Sequence, residues 1–147
     1  MKIAFANDHG GFEMRRAILA ALERRGVQVD DFGATDETSI DYPDVARQAC
    51  ESIVNGRSER AILVCGSGIG ISIAANKIKG IRCALCHDEY DAVMSRKHND
   101  ANALALRGRE FDPEQNVRIL NAWLDAQFED AEGRHTRRIG KIRSLEE

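Results

Sequence analysis

Short apolar segments alternate along this chain with longer amphipathic ones. Five apolar runs have the length and composition of buried strands, and they lie at 2–6, 27–32, 61–64, 81–86 and 103–106. Between the first two runs, apolar residues recur at helical spacing from Phe12 to Arg25, and Gly26 ends that helix. Further helices are predicted from Pro43 to about Val54, from about Ile71, over about 88–96, after Pro113 and over 134–143.

This alternation predicts an α/β fold with right-handed crossovers between parallel strands. We therefore expect a three-layer α/β/α sandwich with a five-stranded parallel, Rossmann-like sheet, and we favour the strand order 2-1-3-4-5. In such sheets, ligands bind beyond the carboxyl ends of the strands where the strand order reverses, here between strands one and three. The 147 residues have the size of one domain.

The segment 61–77 carries the most distinctive chemistry. Its strand ends at Cys65, and Gly66, Gly68 and Gly70 follow at alternate positions before a helix begins. A glycine-rich turn that leads into a helix N-terminus directs several N–H groups toward one point, which suits an anion. These groups should also stabilise a thiolate at Cys65, able to act as a nucleophile or a base. The alternative is a buried cysteine that ends a strand, with glycines that only form a tight turn.

Better-known motifs of similar composition do not match these segments. The spacing G-x-G-x-G after strand three differs from the dinucleotide fingerprint G-x-G-x-x-G after strand one. The sixth residue after Cys65 is Ile71, so the arginine of a Cys-x5-Arg phosphatase loop is absent. Residues 83–87 match the attachment motif of c-type haem. They lie in a predicted strand, however, where Cys83 and Cys86 point to opposite faces, so we predict no haem and no metal.

Polar residues elsewhere could complete a site. Asp8 and His9 end strand one beside two glycines and could bind sugar hydroxyls or phosphate; alternatively, Asp8 only caps a helix and His9 is incidental. His98 and Asn99 belong to a polar cluster before strand five, which could equally be a plain turn. Because that cluster enters the sheet at the edge opposite Cys65, we expect it to complete the site of a partner subunit in an isologous dimer.

Three arginines could bind a phosphate group. Arg134 and Arg138 share one face of the predicted last helix, and Arg109 follows strand five. The alternative is a solvated basic tail.

Charge and segment composition narrow the class of protein. The formal net charge of -3 argues against a general binder of nucleic acid or of membrane surfaces. The first 25 residues lack the pattern of a signal peptide, and no apolar run has the length of a membrane span. We therefore expect a cytoplasmic protein whose four cysteines stay reduced.

Five motifs spread over nearly the whole chain carry a family resemblance. They are Asn-Asp-His-Gly-Gly at 7–11, Asp-Tyr-Pro-Asp at 41–44, Cys-Gly-Ser-Gly-Ile-Gly-Ile-Ser-Ile-Ala-Ala-Asn-Lys at 65–77, His-Asn-Asp-Ala-Asn at 98–102 and Gly-Arg-His-x-x-Arg at 133–138. Together they resemble the type B ribose-5-phosphate isomerases, whose wider family contains the galactose-6-phosphate isomerase subunits. The resemblance implies a cofactor-free and metal-free aldose–ketose isomerase of the pentose phosphate pathway. It would interconvert ribose 5-phosphate and ribulose 5-phosphate through a cis-enediolate.

The resemblance also implies a role for each motif. Cys65 would be the base that moves a proton between C2 and C1, and His98 would protonate the ring oxygen and open the furanose. Ser67 and the N–H groups of Gly66, Gly68 and Gly70 would hold the enediolate oxygen. Further substrate-binding roles would fall to Asn99 at that oxygen, to Asp8 and Tyr42 in support of His98, and to His9, Arg109, Arg134 and Arg138 at the phosphate.

The assembly implied by the resemblance is a homodimer with shared active sites, or a tetramer of such dimers. The basic C-terminal helix at 132–147 would pack at the site or against the dimer partner. Two positions depart from the family pattern. Ser67 stands where threonine is common and keeps the hydroxyl, and Ile71 stands where some members have a glutamate base, which leaves only Cys65. The turn 107–112 is also more highly charged than expected.

Other functions remain open at this point. The substrate could be another four- to six-carbon aldose phosphate, such as a tetrose 4-phosphate, allose 6-phosphate or galactose 6-phosphate. A non-catalytic sensor of sugar phosphates or nucleotides could use the same fold, but it would have no reason to retain Cys65, Ser67 and His98 together. A nucleic-acid binder acting through the basic tail conflicts with the net charge.

Overall fold

Five strands and six α-helices alternate along residues 1–147, all of which the computed structural model describes. The strands are β1 (Lys2–Asn7), β2 (Gln28–Asp31), β3 (Arg60–Cys65), β4 (Cys83–Leu85) and β5 (Ala103–Arg107). The helices are α1 (Phe12–Arg24), α2 (Tyr42–Val54), α3 (Ile69–Asn76), α4 (Glu89–Asn99), α5 (Pro113–Asp125) and α6 (Arg134–Ser144), and a 3-10 turn (His9–Gly11) precedes α1. All strand pairs are parallel, which confirms the predicted Rossmann-like fold class.

The order of the strands in the sheet corrects the sequence prediction. The observed order is β2-β1-β3-β5-β4, so the predicted order 2-1-3-4-5 is wrong for the last two strands. Strand β5 is buried over Ala103–Leu106 and therefore belongs inside the sheet, whereas the three residues of β4 are only half-buried, as suits an edge. The predicted reversal of strand order between β1 and β3 is present.

Small and large side chains alternate along the central strands and separate onto the two faces of the sheet. Ile3, Phe5, Ile62 and their neighbours in register pack against α1, α4 and α5 in one core of 17 buried residues. On the other face, alanines dominate the strand positions, and α2 and α3 pack there in a core of 14 buried residues. Short side chains let helices approach a sheet closely, because less side-chain volume separates the two backbones.

Two helix boundaries differ from the prediction. Helix α3 begins at Ile69, about two residues earlier than expected. Helix α4 continues to Asn99, so His98 is helical rather than part of the polar connection predicted over 97–102. Strands β2 and β4 are shorter than predicted. None of the helices is both long enough and apolar enough to cross a membrane.

The tight packing on the alanine-rich face of the sheet can be tested by enlarging one of its side chains. Ala105 in β5 is completely buried against α2 and α3. We expect Ala105→Leu to lower the free energy of unfolding by about 1–3 kcal/mol, because the added methyl groups have no free volume to fill. Urea denaturation followed by circular dichroism measures this change. Ala20→Leu, at a partly exposed position of α1, is the matched control, and an equally small effect of both substitutions would contradict the packing described for this face.

Candidate active site

The turns that follow β1, β3 and β5 meet at the carboxyl edge of the sheet, so closely that side chains are excluded between them. A Cβ atom on Gly10 would lie 2.8 Å from the backbone nitrogen of Gly66, and one on Gly108 would lie 2.6 Å from the carbonyl oxygen of Gly10. Two hydrogen bonds join the turns: the N–H of Gly108 donates to the carbonyl of Cys65 at 2.8 Å, and the N–H of Arg109 donates to that of Gly66 at 3.0 Å. The three turns therefore form one continuous surface where the sequence predicted a ligand site.

Cys65 and Ser67 lie on this surface at the start of the glycine-rich segment. Cys65 is the last residue of β3 and is 4 % exposed, whereas Ser67 is exposed. Gly68 has φ +77°, a conformation that favours glycine, and it directly precedes the first residue of α3. The Ser67 Oγ accepts the N–H of Ile69 at 3.1 Å, which leaves the hydroxyl hydrogen free to donate to a ligand oxygen.

Tyr42 borders the same segment from the other side. It is the first residue of α2 and is 37 % exposed. A Cβ atom on Gly70 would lie 2.5 Å from the Tyr42 ring, so the ring packs directly on the first turn of α3. Its hydroxyl therefore stands beside the glycine-rich segment.

Asp8 and His9 leave β1 at this edge and have different partners. Asp8 is 5 % exposed, and its Oδ1 accepts the N–H of Gly11 at 3.1 Å, which is the capping interaction considered as the alternative to a binding role. The His9 Nδ1 accepts the N–H of Ile40 at 3.2 Å, so in the neutral ring the proton resides on Nε2. That assignment leaves Nε2 as a donor.

His9 and Arg109 share a cleft of about 680 Å³ with the backbone of Gly10. The other side chains that line it are carboxylates, namely Glu13, Glu37 and Glu110. The cleft thus offers two nitrogen donors for an anion, and it surrounds them with compensating negative charge.

The remaining predicted residues lie at the opposite edge of the sheet. His98 and Asn99 are exposed in the last turn of α4, and Arg134 and Arg138 are exposed on α6. His98, Arg134 and His135 line a second cavity of about 230 Å³ together with residues 129–132. The Asp130 carboxylate accepts the N–H groups of His135 at 3.1 Å and Thr136 at 2.7 Å, and hydrogen bonding from Thr136 lowers the pKa of Asp130. Asp130 therefore fixes the start of α6 beside His98.

His135 is a candidate that the sequence reasoning missed. Its ring stacks on that of His98 with centroids 4.5 Å apart and an interplanar angle of 15°. Partial desolvation, and then the nearby His98 and Arg134, lower the pKa of His135 below its usual value. The neutral ring can therefore lie against His98 near pH 7. The sequence does contain a signal for it: His135 lies between Arg134 and Arg138 in one helical turn, where the prediction names the arginines alone.

Within one chain, the two groups of residues do not meet. The β3–β5 register pairs Ala61 with Ala103, just after the His98 segment, and pairs Cys65 with Arg107. Four residues of extended strand separate the two edges by ~13 Å. One chain therefore carries two separate groups of candidate residues, called half-sites below: a thiol half around Cys65 at the carboxyl edge, and a histidine half around His98 at the amino edge.

The other three cysteines lie outside the glycine-rich segment that follows β3. Burial raises the pKa of Cys50 to about 12 and that of Cys86 to about 12, and burial also raises the pKa of Cys83. Cys83 packs toward the α2–α3 face and Cys86 toward the other face, as the alternation along a strand predicted. These thiols stay protonated at neutral pH and lie in the two cores, away from the surface formed by the three turns.

Comparisons with known proteins cover both half-sites. A sequence model of the ribose/galactose isomerase family matches residues 3–142. The ribose-5-phosphate isomerase B of Escherichia coli is 44% identical over 146 residues, which are 99% of this chain and 97% of the relative. A D-erythrulose-4-phosphate isomerase of Pectobacterium atrosepticum is 43% identical over 131 residues, 88% of this chain and 86% of the relative. The solved structure of Clostridium thermocellum ribose-5-phosphate isomerase B has a TM-score of 0.96 and 46% identity, covering 99% of this chain and 97% of that one.

Proposed function

Because the chain belongs to the ribose/galactose isomerase family and is a sugar-phosphate isomerase, we propose that it interconverts ribose 5-phosphate and ribulose 5-phosphate. The observation that carries this proposal is the position of Cys65 immediately before the glycine-rich turn and beside the Ser67 hydroxyl. Both groups stand on a surface fixed by the close contact of three turns. A base and an oxyanion cradle held at fixed separation are what an aldose–ketose isomerisation needs.

In the proposed reaction, the Cys65 thiolate takes the proton from C2 of the open-chain aldose. The C–H electron pair forms the C1–C2 double bond, and the electrons of the carbonyl bond move onto O1 to give a cis-enediolate. A proton passes from the C2 hydroxyl to O1, and the Cys65 thiol returns its proton to C1, which yields the ketose. The N–H groups of Gly66, Gly68 and Gly70 and the Ser67 hydroxyl stabilise the negative charge that develops on oxygen.

The histidine half would act in the site of a partner subunit. His98 would protonate the ring oxygen to open the furanose, with Asp8 and Tyr42 of the thiol half in support, and Asn99 would assist the Ser67 hydroxyl at the enediolate. The ~13 Å that separates the half-sites within one chain supports this homodimeric arrangement. So does helix α6, on which no residue is buried in the single chain and which exposes Ile142 and Leu145.

The phosphate would be bound by cationic groups from both subunits. His9 and Arg109 line the cleft of the thiol half, and Arg134 and Arg138 would approach from α6 of the partner. A phosphate dianion offers several acceptor oxygens, so guanidinium groups can bind it from more than one side. The same segment, 132–147, would therefore complete both the site and the interface.

A tetrose 4-phosphate is a second candidate substrate. The observation in its favour is the 43% identity to the D-erythrulose-4-phosphate isomerase of Pectobacterium atrosepticum. The proton transfer at C1 and C2 is the same for both sugars. A tetrose 4-phosphate carries phosphate on O4 and cannot close a furanose ring, so it needs no ring-opening acid.

The base assignment is tested by Cys65→Ser. We expect kcat for ribose 5-phosphate to fall by about 10²–10⁴-fold, because a serine hydroxyl is a far weaker base at neutral pH than a thiolate. Cys83→Ser, a half-buried cysteine outside the site, is the matched control and should keep wild-type activity. Assays run with a metal chelator should give the same rates. Wild-type turnover by Cys65→Ser would remove the thiol from the mechanism.

The role of His98 is tested by comparing a pentose with a tetrose. In His98→Asn, kcat/KM for ribose 5-phosphate should fall by about 10²-fold or more, as expected for loss of a general acid. The value for erythrose 4-phosphate should fall much less, because that substrate has no furanose to open. Equal losses on both substrates would show that His98 does not act in ring opening.

The shared site is tested by mixing two inactive variants. Cys65→Ala and His98→Asn each damage one half-site, so a hybrid dimer contains one doubly damaged site and one intact site. After unfolding and refolding of an equimolar mixture, about a quarter of the wild-type activity should return, since half of the dimers are hybrids with one intact site. No recovery, despite hybrid dimers seen by native mass spectrometry, would place both half-sites in one subunit.

A further inference from the structure

Helix α4 ends at Asn99, and the next residue, Asp100, has an unusual backbone conformation. Asp100 has φ 45° and ψ 47°, in the left-handed region, where the position that ends a helix usually carries glycine. A residue with a side chain in this region is strained, and such strain persists only where the surrounding structure enforces it. Asp100 stands where glycine is usual, and its carboxylate makes contacts to Arg96 and Arg82 that a glycine could not make.

Two arginines bind the turn at Asp100. Arg82 directly precedes β4, and Arg96 lies in the last part of α4. The Arg96 Nη1 donates to the Asp100 Oδ1 at 2.8 Å and to the carbonyl of Ala101 at 2.7 Å. The Arg82 Nε donates to the carbonyls of Asn99 at 3.0 Å and Asp100 at 3.1 Å, and its Nη2 donates to the carbonyl of Asp100 at 2.8 Å. Three successive carbonyl groups directly after His98 are therefore bound by guanidinium groups.

The inner arginine of this cluster is itself fixed in place. The Arg96 side chain is 7 % exposed, and its guanidinium lies 5.7 Å from the centroid of the buried Trp123 ring. The Arg82 side chain is 20 % exposed and covers the outer side of the same turn. On the other side of His98, the Lys97 ammonium group pairs with the Glu129 carboxylate at 3.2 Å. The backbone carbonyl of Lys97 accepts the N–H of Glu129 at 3.1 Å. The backbone on both sides of His98 is thus anchored.

We propose that Arg82 and Arg96 are positioning residues, which hold Asp100 so that His98 and Asn99 leave the last turn of α4 in one fixed direction. This inference rests on the proposed function, because His98 and Asn99 must reach the site of the partner subunit. Neither arginine touches the substrate in this arrangement. Their effect is on the orientation of the groups that do, and small errors in orientation are costly to a reaction.

Asp100→Gly separates positioning from helix termination. Glycine adopts the left-handed conformation without strain, so the melting temperature should stay the same or rise. The loss of the carboxylate contacts should nevertheless lower kcat for ribose 5-phosphate by about 10–100-fold, with KM little changed because the phosphate-binding groups are untouched. Arg82→Gln should have the same effect on kcat. Wild-type kcat in both variants would overturn the proposal.

A double-mutant comparison shows whether the effect passes through His98. In the His98→Asn background, Asp100→Gly should cause a smaller further loss of kcat/KM than in the wild type, since one of the two groups that it positions is already gone. Full additivity would mean that the cluster does not act through His98 and would overturn the proposal. Arg25→Gln, which removes an arginine that directly follows α1 and pairs with Asp125 at the end of α5, is the control and should retain wild-type kinetics.

The same variants distinguish failure of this inference from failure of the proposed function. If His98→Asn lowers turnover of ribose 5-phosphate while Asp100→Gly and Arg82→Gln do not, only the positioning role is wrong. If His98→Asn itself has wild-type kinetics, the role of His98 in the proposed function is wrong, and the positioning role falls with it.

Discussion

The close contact of three backbone turns is the constraint on which the candidate site depends. Gly10 and Gly108 let the ends of β1, β3 and β5 touch, with hypothetical Cβ atoms at 2.8 Å and 2.6 Å from neighbouring backbone atoms. Side chains at these positions would separate the turns and move Cys65 away from Asp8 and Arg109. Catalysis by preorganised groups tolerates little such movement. The two glycines therefore act as a structural requirement of the site, whatever its substrate.

This contact also explains why the observed strand order matters for function. Because β5 lies directly beside β3, its following turn reaches the glycine-rich segment, and the N–H of Arg109 bonds to the carbonyl of Gly66. In the predicted order 2-1-3-4-5, β4 would stand between them, and Arg109 would lie one strand farther from Cys65, by ~4.8 Å. The placement of Arg109 in the His9 cleft depends on the order that the sequence prediction missed.

The sequence pattern predicts those elements whose formation depends on neighbouring residues in the chain. The buried strands, the amphipathic helices and the turn after Cys65 each follow from a contiguous stretch of residues, and the structure has them. The position of β4 at the edge depends on how a crossover passes over β5, which no single segment encodes. One signal was present: 103–106 is apolar on both faces, whereas the half-buried β4 directly follows Arg82.

The histidine half was harder to predict for a related reason. Exposed polar residues look alike in a loop and on the outer face of a helix, so the sequence predicts a connection where the structure has the last turn of α4. Its end at Asp100 lacks the usual glycine signal, because the left-handed conformation is held in part by Arg82, which lies 18 residues earlier in the chain. The stacking of His135 on His98 likewise depends on the packing of α6 against α4. Tertiary contacts, which a residue pattern does not contain, decide both.

A phosphate shared between subunits would couple substrate binding to assembly. In the proposed dimer, His9 and Arg109 contact the phosphate from one chain, and the partner subunit's Arg134 and Arg138 contact it from the other. Without substrate, these like charges oppose one another across the interface, and the carboxylates of the cleft, Glu37 and Glu110 among them, reduce that repulsion. A bound dianion replaces the repulsion by attraction, so it favours the dimer by the same free energy by which dimer formation favours its binding. The carboxylates beside the phosphate-binding groups would then keep the proposed dimer assembled while its site is empty.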